Sequence, residues 1–158
     1  MRPRNQVIFN LVEEWGAKAK GLGVQYVAHA ITAAGVATCL GESLAGGGME
    51  PKTHPDQEYW RKVKSPDDAG IDLAAIARIE IDCTLLPCAG GNDGCLLIVP
   101  FLVQQAGFGD LPLRIFSHRY EGGDISKPKR YFDCRSASPR GELKRLFAVN
   151  GSWDWAAP

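Results

Sequence analysis

Arg78-Ile79-Glu80-Ile81-Asp82-Cys83-Thr84-Leu85-Leu86-Pro87-Cys88 is the stretch on which the fold turns. Ile79, Ile81, Cys83 and Leu85 alternate with Glu80, Asp82 and Thr84, the period of two that a half-buried strand requires. Cys83 falls in phase with Ile79 and Ile81 and reads as a core residue. The strand ends at Pro87-Cys88. Beyond the glycine-rich Gly90 to Gly94, the apolar run from Cys95 to Ala106 reads as a buried helix closed by Gly107, and Leu111 to Ser117 as the next strand. A strand, a helix and a second strand in that order imply a parallel pair joined by a right-handed crossover.

Upstream, Val7, Ile8, Leu11, Val12, Trp15 and Ala19 have helical spacing and stop at Gly21 and Gly23. Val24 to Ile31 and Val36 to Leu40 are strand-like, and Thr32-Ala33-Ala34-Gly35 between them suits a hairpin. His29 alternates within the first of these and reads as structural; Cys39 ends the second and reads as core. Gly41 to Thr53 holds four glycines and a proline and is expected to be an irregular loop, the kind of segment that often carries function. It leads to His54. Pro55 at a first helical position, with Asp56 and Glu58 in the first turn, starts a helix expected to reach about Lys64.

These elements make an α/β sheet covered by helices. A length of 158 residues fits one domain, with a core over about 5–118 and a basic C-terminal extension over 119–158. In that extension Lys127, Lys129, Arg130, Arg135, Arg140, Lys144 and Arg145 outnumber the acids, and only Arg140 to Phe147 looks helical. The 18 basic and 18 acidic residues cancel, so a nucleic-acid partner would have to be held locally. Five cysteines, an odd number in a core-rich chain, favour thiols over a disulfide framework. No basic head with an apolar segment opens the chain, and the run Leu96 to Val103 is too short to span a bilayer, so neither an ordinary signal peptide nor a membrane protein is expected.

A histidine at a helix start, an acid just after it, and a proline-cysteine pair closing a strand before the next helix resemble the zinc-dependent nucleoside and nucleic-acid deaminase superfamily. Its signature is H-x-E followed by P-C-x-x-C. The matching pieces are His54-Pro55-Asp56-Gln57-Glu58 and Pro87-Cys88 with Cys95, and Pro87 follows His54 by 33 residues. The resemblance covers about residues 5–118. It implies a three-layer α/β/α fold with a mixed sheet of four to five strands, a Zn2+ ion held by His54, Cys88 and Cys95, and one open position for water.

Two departures bear on the site. Cys88 and Cys95 are spaced C-x6-C, an expanded loop similar to that of bacterial toxin deaminases acting on DNA. The acid at the H-x-E position is Asp56, one methylene short of glutamate, and Glu58 lies four residues after His54 on one helical face. Asp56 by position and Glu58 by reach both remain candidates for the proton shuttle. The function implied is deamination of cytosine in single- or double-stranded DNA by a monomeric toxin that acts in the cytoplasm of a target cell and is neutralised by an immunity protein in the producing cell. His118, Lys127, Lys129 and Arg130 are candidate substrate contacts. RNA or free nucleotide deamination, a metal-free cysteine hydrolase using Cys88 and His118, and a noncatalytic zinc domain are the competing readings. Trp60 reads as core in preference to a base-stacking platform, and Trp153 and Trp155 are read as packing onto the domain.

Overall fold

A computed structural model describes residues 25–42, 44–45, 55–83, 95–117 and 130–138. The strands are β1 (Gln25–Thr32), β2 (Ala37–Cys39), β3 (Leu44–Ala45), β4 (Ile76–Cys83), β5 (Pro112–Ser117) and β6 (Arg130–Arg135). The helices are α1 (Pro55–Lys62) and α2 (Cys95–Val103), with a short 3-10 turn at Leu73–Ala75. All six strands form one mixed sheet in the order β2-β1-β4-β5-β6, and β3 pairs with β1 beyond the end of β2. β4 and β5 are parallel, while β1 with β2, β3 and β4, and β5 with β6, are antiparallel. Parallel neighbours cannot be joined by a tight turn, and here the connection passes through α2.

One face of the sheet supplies the core. Tyr26, Ala28 and Ala30 of β1, Ile79, Ile81 and Cys83 of β4, and Leu113 and Ile115 of β5 cluster with Tyr59 and Trp60 of α1 and Val99, Leu102 and Val103 of α2. The two helices therefore lie side by side on that face. Tyr26, Tyr59, Trp60 and Phe108 form a chain of edge-to-face rings with centroids 5.3, 5.6 and 6.0 Å apart, a geometry that suits the ring quadrupoles.

The other face is buried as well, which the alternation of Ile79-Glu80-Ile81-Asp82 does not predict. Val27, His29, Ile31, Glu80, Asp82 and Phe116 are all at most 5% exposed. Of the buried polar side chains there, His29 and Glu80 are set against polar partners across the strands, whereas Asp82 stands between Val27 and Phe116. His29 is opposite Glu80, Glu80 opposite Arg114, and Arg114 opposite Asp133. Arg78 Nε donates to Glu80 Oε1 at 2.9 Å, and Arg114 grips both Asp133 oxygens at 2.7 and 2.9 Å.

Most element boundaries fall close to the sequence reading. The hairpin connection turns at Gly35, whose φ of +84° suits a residue without Cβ. The α2 segment regains a wider turn over Gln104–Phe108 and closes at Gly107, with φ +98°. Three differences have physical causes. Leu44–Ala45, inside the expected irregular loop, pairs with β1 through only two residues, too few to leave a pattern. The expected helix to Lys64 stops at Lys62, three residues before Ser65-Pro66, and proline disfavours helix in the residue preceding it. β6 lies past residue 118, in the stretch read as a basic extension, so the sheet continues to Arg135.

Ser136 ties β6 down. Its hydroxyl accepts the Leu111 N–H at 2.7 Å and donates to the Gly109 carbonyl at 2.5 Å, while Gln104 Nε2 donates to its carbonyl at 2.6 Å. Among the described residues, no helix is long and apolar enough to cross a membrane. The helix expected over Val7 to Ala19, and that over Arg140 to Phe147, lie outside the described residues, as do Trp153 and Trp155.

Candidate active site

The position of α1 is set by two adjacent aromatic side chains. Tyr59 reaches the gap that separates β2 from β3 along β1. Its hydroxyl accepts the Ala28 N–H at 3.1 Å and lies 3.2 Å from the carbonyl oxygens of both Ala28 and Gly41. It thus supplies a hydrogen-bond partner where the sheet ladder is interrupted, which a buried N–H requires. Trp60 donates its indole Nε1–H to the Tyr26 phenol oxygen at 2.7 Å. With both anchors on one side, α1 has a fixed rotation about its axis.

That rotation separates the two candidate acids. Asp56 precedes Tyr59 by three residues and Trp60 by four, so it shares their buried side. It is 5% exposed. Glu58 is two residues on, about 200° round the helix at 3.6 residues per turn. Its side chain is 44% exposed and pairs with Arg61 at 3.4 Å. The geometry turns Asp56 inward and Glu58 toward solvent.

Asp56 lies in the electrostatic field of Tyr26 and Cys83, which are directly opposite each other at the ends of β1 and β4. Burial pushes the Tyr26 phenol well above its ordinary range, and the Asp56 charge adds to the rise. Burial likewise pushes the Cys83 thiol up, with Asp56 and then Asp82 contributing further. Cys83 donates to the Phe116 carbonyl at 3.2 Å and belongs to the core, as its phase in the sequence predicts. Among the described residues, Asp56 forms no ion pair. A buried carboxylate is costly without compensation, and Asp56 stands in the first turn of α1, where the exposed N–H groups and the helix dipole favour a negative charge.

Two other residues singled out in the sequence, Cys95 and Arg130, open elements that lie at the edge where Asp56 stands. Pairing runs Leu44–Tyr26–Cys83–Ser117–Arg130 across five strands. This is the edge at the carboxyl ends of the parallel strands β4 and β5, where open α/β sheets bind ligands. α1 begins there, immediately after His54, and α2 begins at Cys95 on the way from β4 back to β5. His118 directly follows β5, and Arg130 opens β6. His54, Cys88, His118, Lys127 and Lys129 lie outside the described residues, and the side chains of Cys95 and Arg130 do so too. Among the described residues, no three metal-binding side chains gather in one place.

Tyr26 is the participant that sequence reading missed. It sits in a strand of mostly apolar residues, and nothing in its own neighbourhood reveals a bond to a side chain 34 positions away. Trp60, read as core, is core and also a hydrogen-bond donor. His29, read as structural, is 1% exposed on the opposite face of the sheet. Cys39 is half-buried and donates to the Gly41 carbonyl at 2.9 Å. The chain matches no protein-family model, no curated protein and no solved structure.

Proposed function

We propose that this chain is a zinc-dependent hydrolytic deaminase acting on cytosine in DNA, of the bacterial toxin type, with a three-layer α/β/α architecture. The observation that carries the reading is Asp56: a carboxylate 5% exposed, without an ion pair among the described residues, at the start of α1 and at the carboxyl edge of the parallel strands. Two residues before it stands His54, and α2 opens with Cys95 on the same edge.

His54, Cys88 and Cys95 would hold the metal, an imidazole and two thiolates that fit zinc and leave one position open. A dication held beside Asp56 would supply the compensating charge that its burial calls for. Zinc so held would supply an activated water, its pKa lowered to about 7, for hydrolysis of the C4 amino group of cytosine to uracil and ammonia. Asp56 would carry the proton given up by the water to N3 of the ring, and the second, from the hydroxyl formed at C4, to the departing amino group. Its short side chain is compensated by its inward position, whereas Glu58 faces solvent and Arg61. Arg130, with Lys127 and Lys129 upstream, would hold the nucleic-acid backbone, and His118 would lie at the mouth of the site. A toxin of this kind acts as a monomer in the cytoplasm of its target and meets an immunity protein where it is made.

The test is sequencing of a reporter strain after brief expression of the chain, beside His54→Ala and Cys88→Ala, with zinc content measured on the purified proteins. C-to-T changes that vanish in both variants, with one zinc per chain lost in both, are expected. Toxicity with an unchanged mutation spectrum and no bound zinc would exclude the reading and direct attention to the cysteine hydrolase.

A further inference from the structure

The face of the sheet turned away from α1 and α2 is sealed by something other than those helices. Val27, Ile31 and Phe116 are 0%, 3% and 5% exposed, yet they stand outside the core cluster that both helices share with the sheet. His29, Glu80 and Asp82 are hidden on the same face. Among the described residues no element lies over them. These are the exposures of one chain alone, so the cover comes from the chain itself. Its outline can be traced. It lies over β1, β4 and the end of β5, and stops short of β6, because the Arg114 and Asp133 side chains next in the row stay 35% and 53% exposed. Neighbouring strands are about 5 Å apart and a helix with its side chains is about 10 Å across, so the hidden strip has the width of one helix.

We propose that residues 7–19 form that helix and lie antiparallel to β1 across this face. Val7, Ile8, Leu11, Val12, Trp15 and Ala19 make one apolar stripe, the side that Val27, Ile31 and Phe116 call for. A helix over 7–19 is about 20 Å long, close to the roughly 26 Å of β1. Only Lys20 to Val24 separate it from Gln25, so the chain reverses at the carboxyl edge and sets the helix down beside β1. The rival occupant is the stretch after Ser138, with Leu143, Leu146 and Phe147. It leaves the sheet from β6, on the far side of the exposed Arg114–Asp133 pair. The segments between β3 and α1 and between β4 and α2 lead to helices on the opposite face. With residues 7–19 in place, Glu80 and Asp82 belong to a seam between layers and take no part in ligand binding. The assignment does not depend on the deaminase reading.

The experiment is nuclear Overhauser spectroscopy on the full chain with labelled methyl groups, beside the conservative variant Trp15→Phe. Antiparallel packing is expected to bring the Trp15 indole into contact with the Val27 methyls, and Leu11 or Val12 into contact with Ile31, at roughly 4.5 Å or less. Trp15→Phe should shift the Val27 methyl resonances and leave those of Ile115, on the other face, in place. Contacts of Val27 and Ile31 with Leu143, Leu146 or Phe147, or with any segment other than residues 7–19, overturn the proposal, as does the reverse order along β1. A native chain that shows the expected contacts and deaminates no cytosine overturns the deaminase reading alone.

Discussion

The indole N–H of Trp60 donates to the phenol oxygen of Tyr26 at 2.7 Å, joining α1 to the first strand across 34 positions of sequence. Both residues are at most 3% exposed, so this bond is made away from water and sets where the N-terminal turn of α1 lies. Asp56 inherits its place from it. A site built in this way depends on residues that never touch a ligand.

The two acids of α1 should therefore separate sharply. On the proposed deaminase reading, Asp56→Asn is expected to lower turnover of a cytosine oligonucleotide by about 10²- to 10⁴-fold, the usual worth of a proton-transfer group. Glu58→Gln, which disturbs only an exposed pair with Arg61, should stay within a few-fold of native. Initial rates on matched, zinc-loaded proteins decide between them, and the reverse order would transfer the shuttle to Glu58.

Tyr59→Phe removes the oxygen that satisfies the Ala28 N–H in the gap of the β1 ladder. A buried donor left without its acceptor costs about 1–3 kcal/mol. Urea unfolding should show that loss, and exchange of the Ala28 amide with solvent deuterium should quicken more than that of Ile81 in the neighbouring strand. Equal stability of the two proteins would mean that water fills the place of the hydroxyl.

Asp110 couples the end of β6 to the loop before β5 in a pH-dependent way. The hydrogen bond from Arg135 holds its carboxyl below the ordinary value of 3.8, aided by the Ala137 N–H. With the folded-state pKa depressed, the contribution is complete above the ordinary value and lost as pH falls through the folded one. Native protein should lose Tm more steeply than Asp110→Asn below about pH 4, and added salt should narrow the difference because the pair is exposed.

Burial, with Asp133 beside it, pushes the Cys134 thiol up to about 12, and burial pushes Cys83 up as well. Neither supplies appreciable thiolate near pH 8, and thiolate is the reactive form. Iodoacetamide at about pH 8 should leave both unmodified in the native chain and label both in denaturant, as read by mass spectrometry. Rapid native labelling of Cys134 would show that β6 detaches from β5.

Legibility in the sequence followed how local each signal was. β4 announces itself through strict alternation, and α1 through Pro55 and Asp56, because those cues lie within a few neighbouring residues. β6 escaped, since Tyr131-Phe132-Asp133-Cys134 is a short run between arginines, and its reason for being a strand is the β5 edge that it covers. The burial of His29, Glu80 and Asp82 was unreadable for the same reason: each strand alone shows a polar side, and only the pairing reveals how that side is filled. The inward Asp56 was weighed but not chosen, because rotation of α1 is decided by Tyr26 and Ala28, partners distant in sequence.

The row His29–Glu80–Arg114–Asp133 has a consequence for how the sheet is assembled. A slip of β6 by one residue would turn every side chain to the wrong face. A slip by two would keep the faces but set Tyr131 or Arg135 against Arg114, losing the forked grip on Asp133. The charges therefore work as a proofreading mark, so that a strand of only six residues seats in a single alignment.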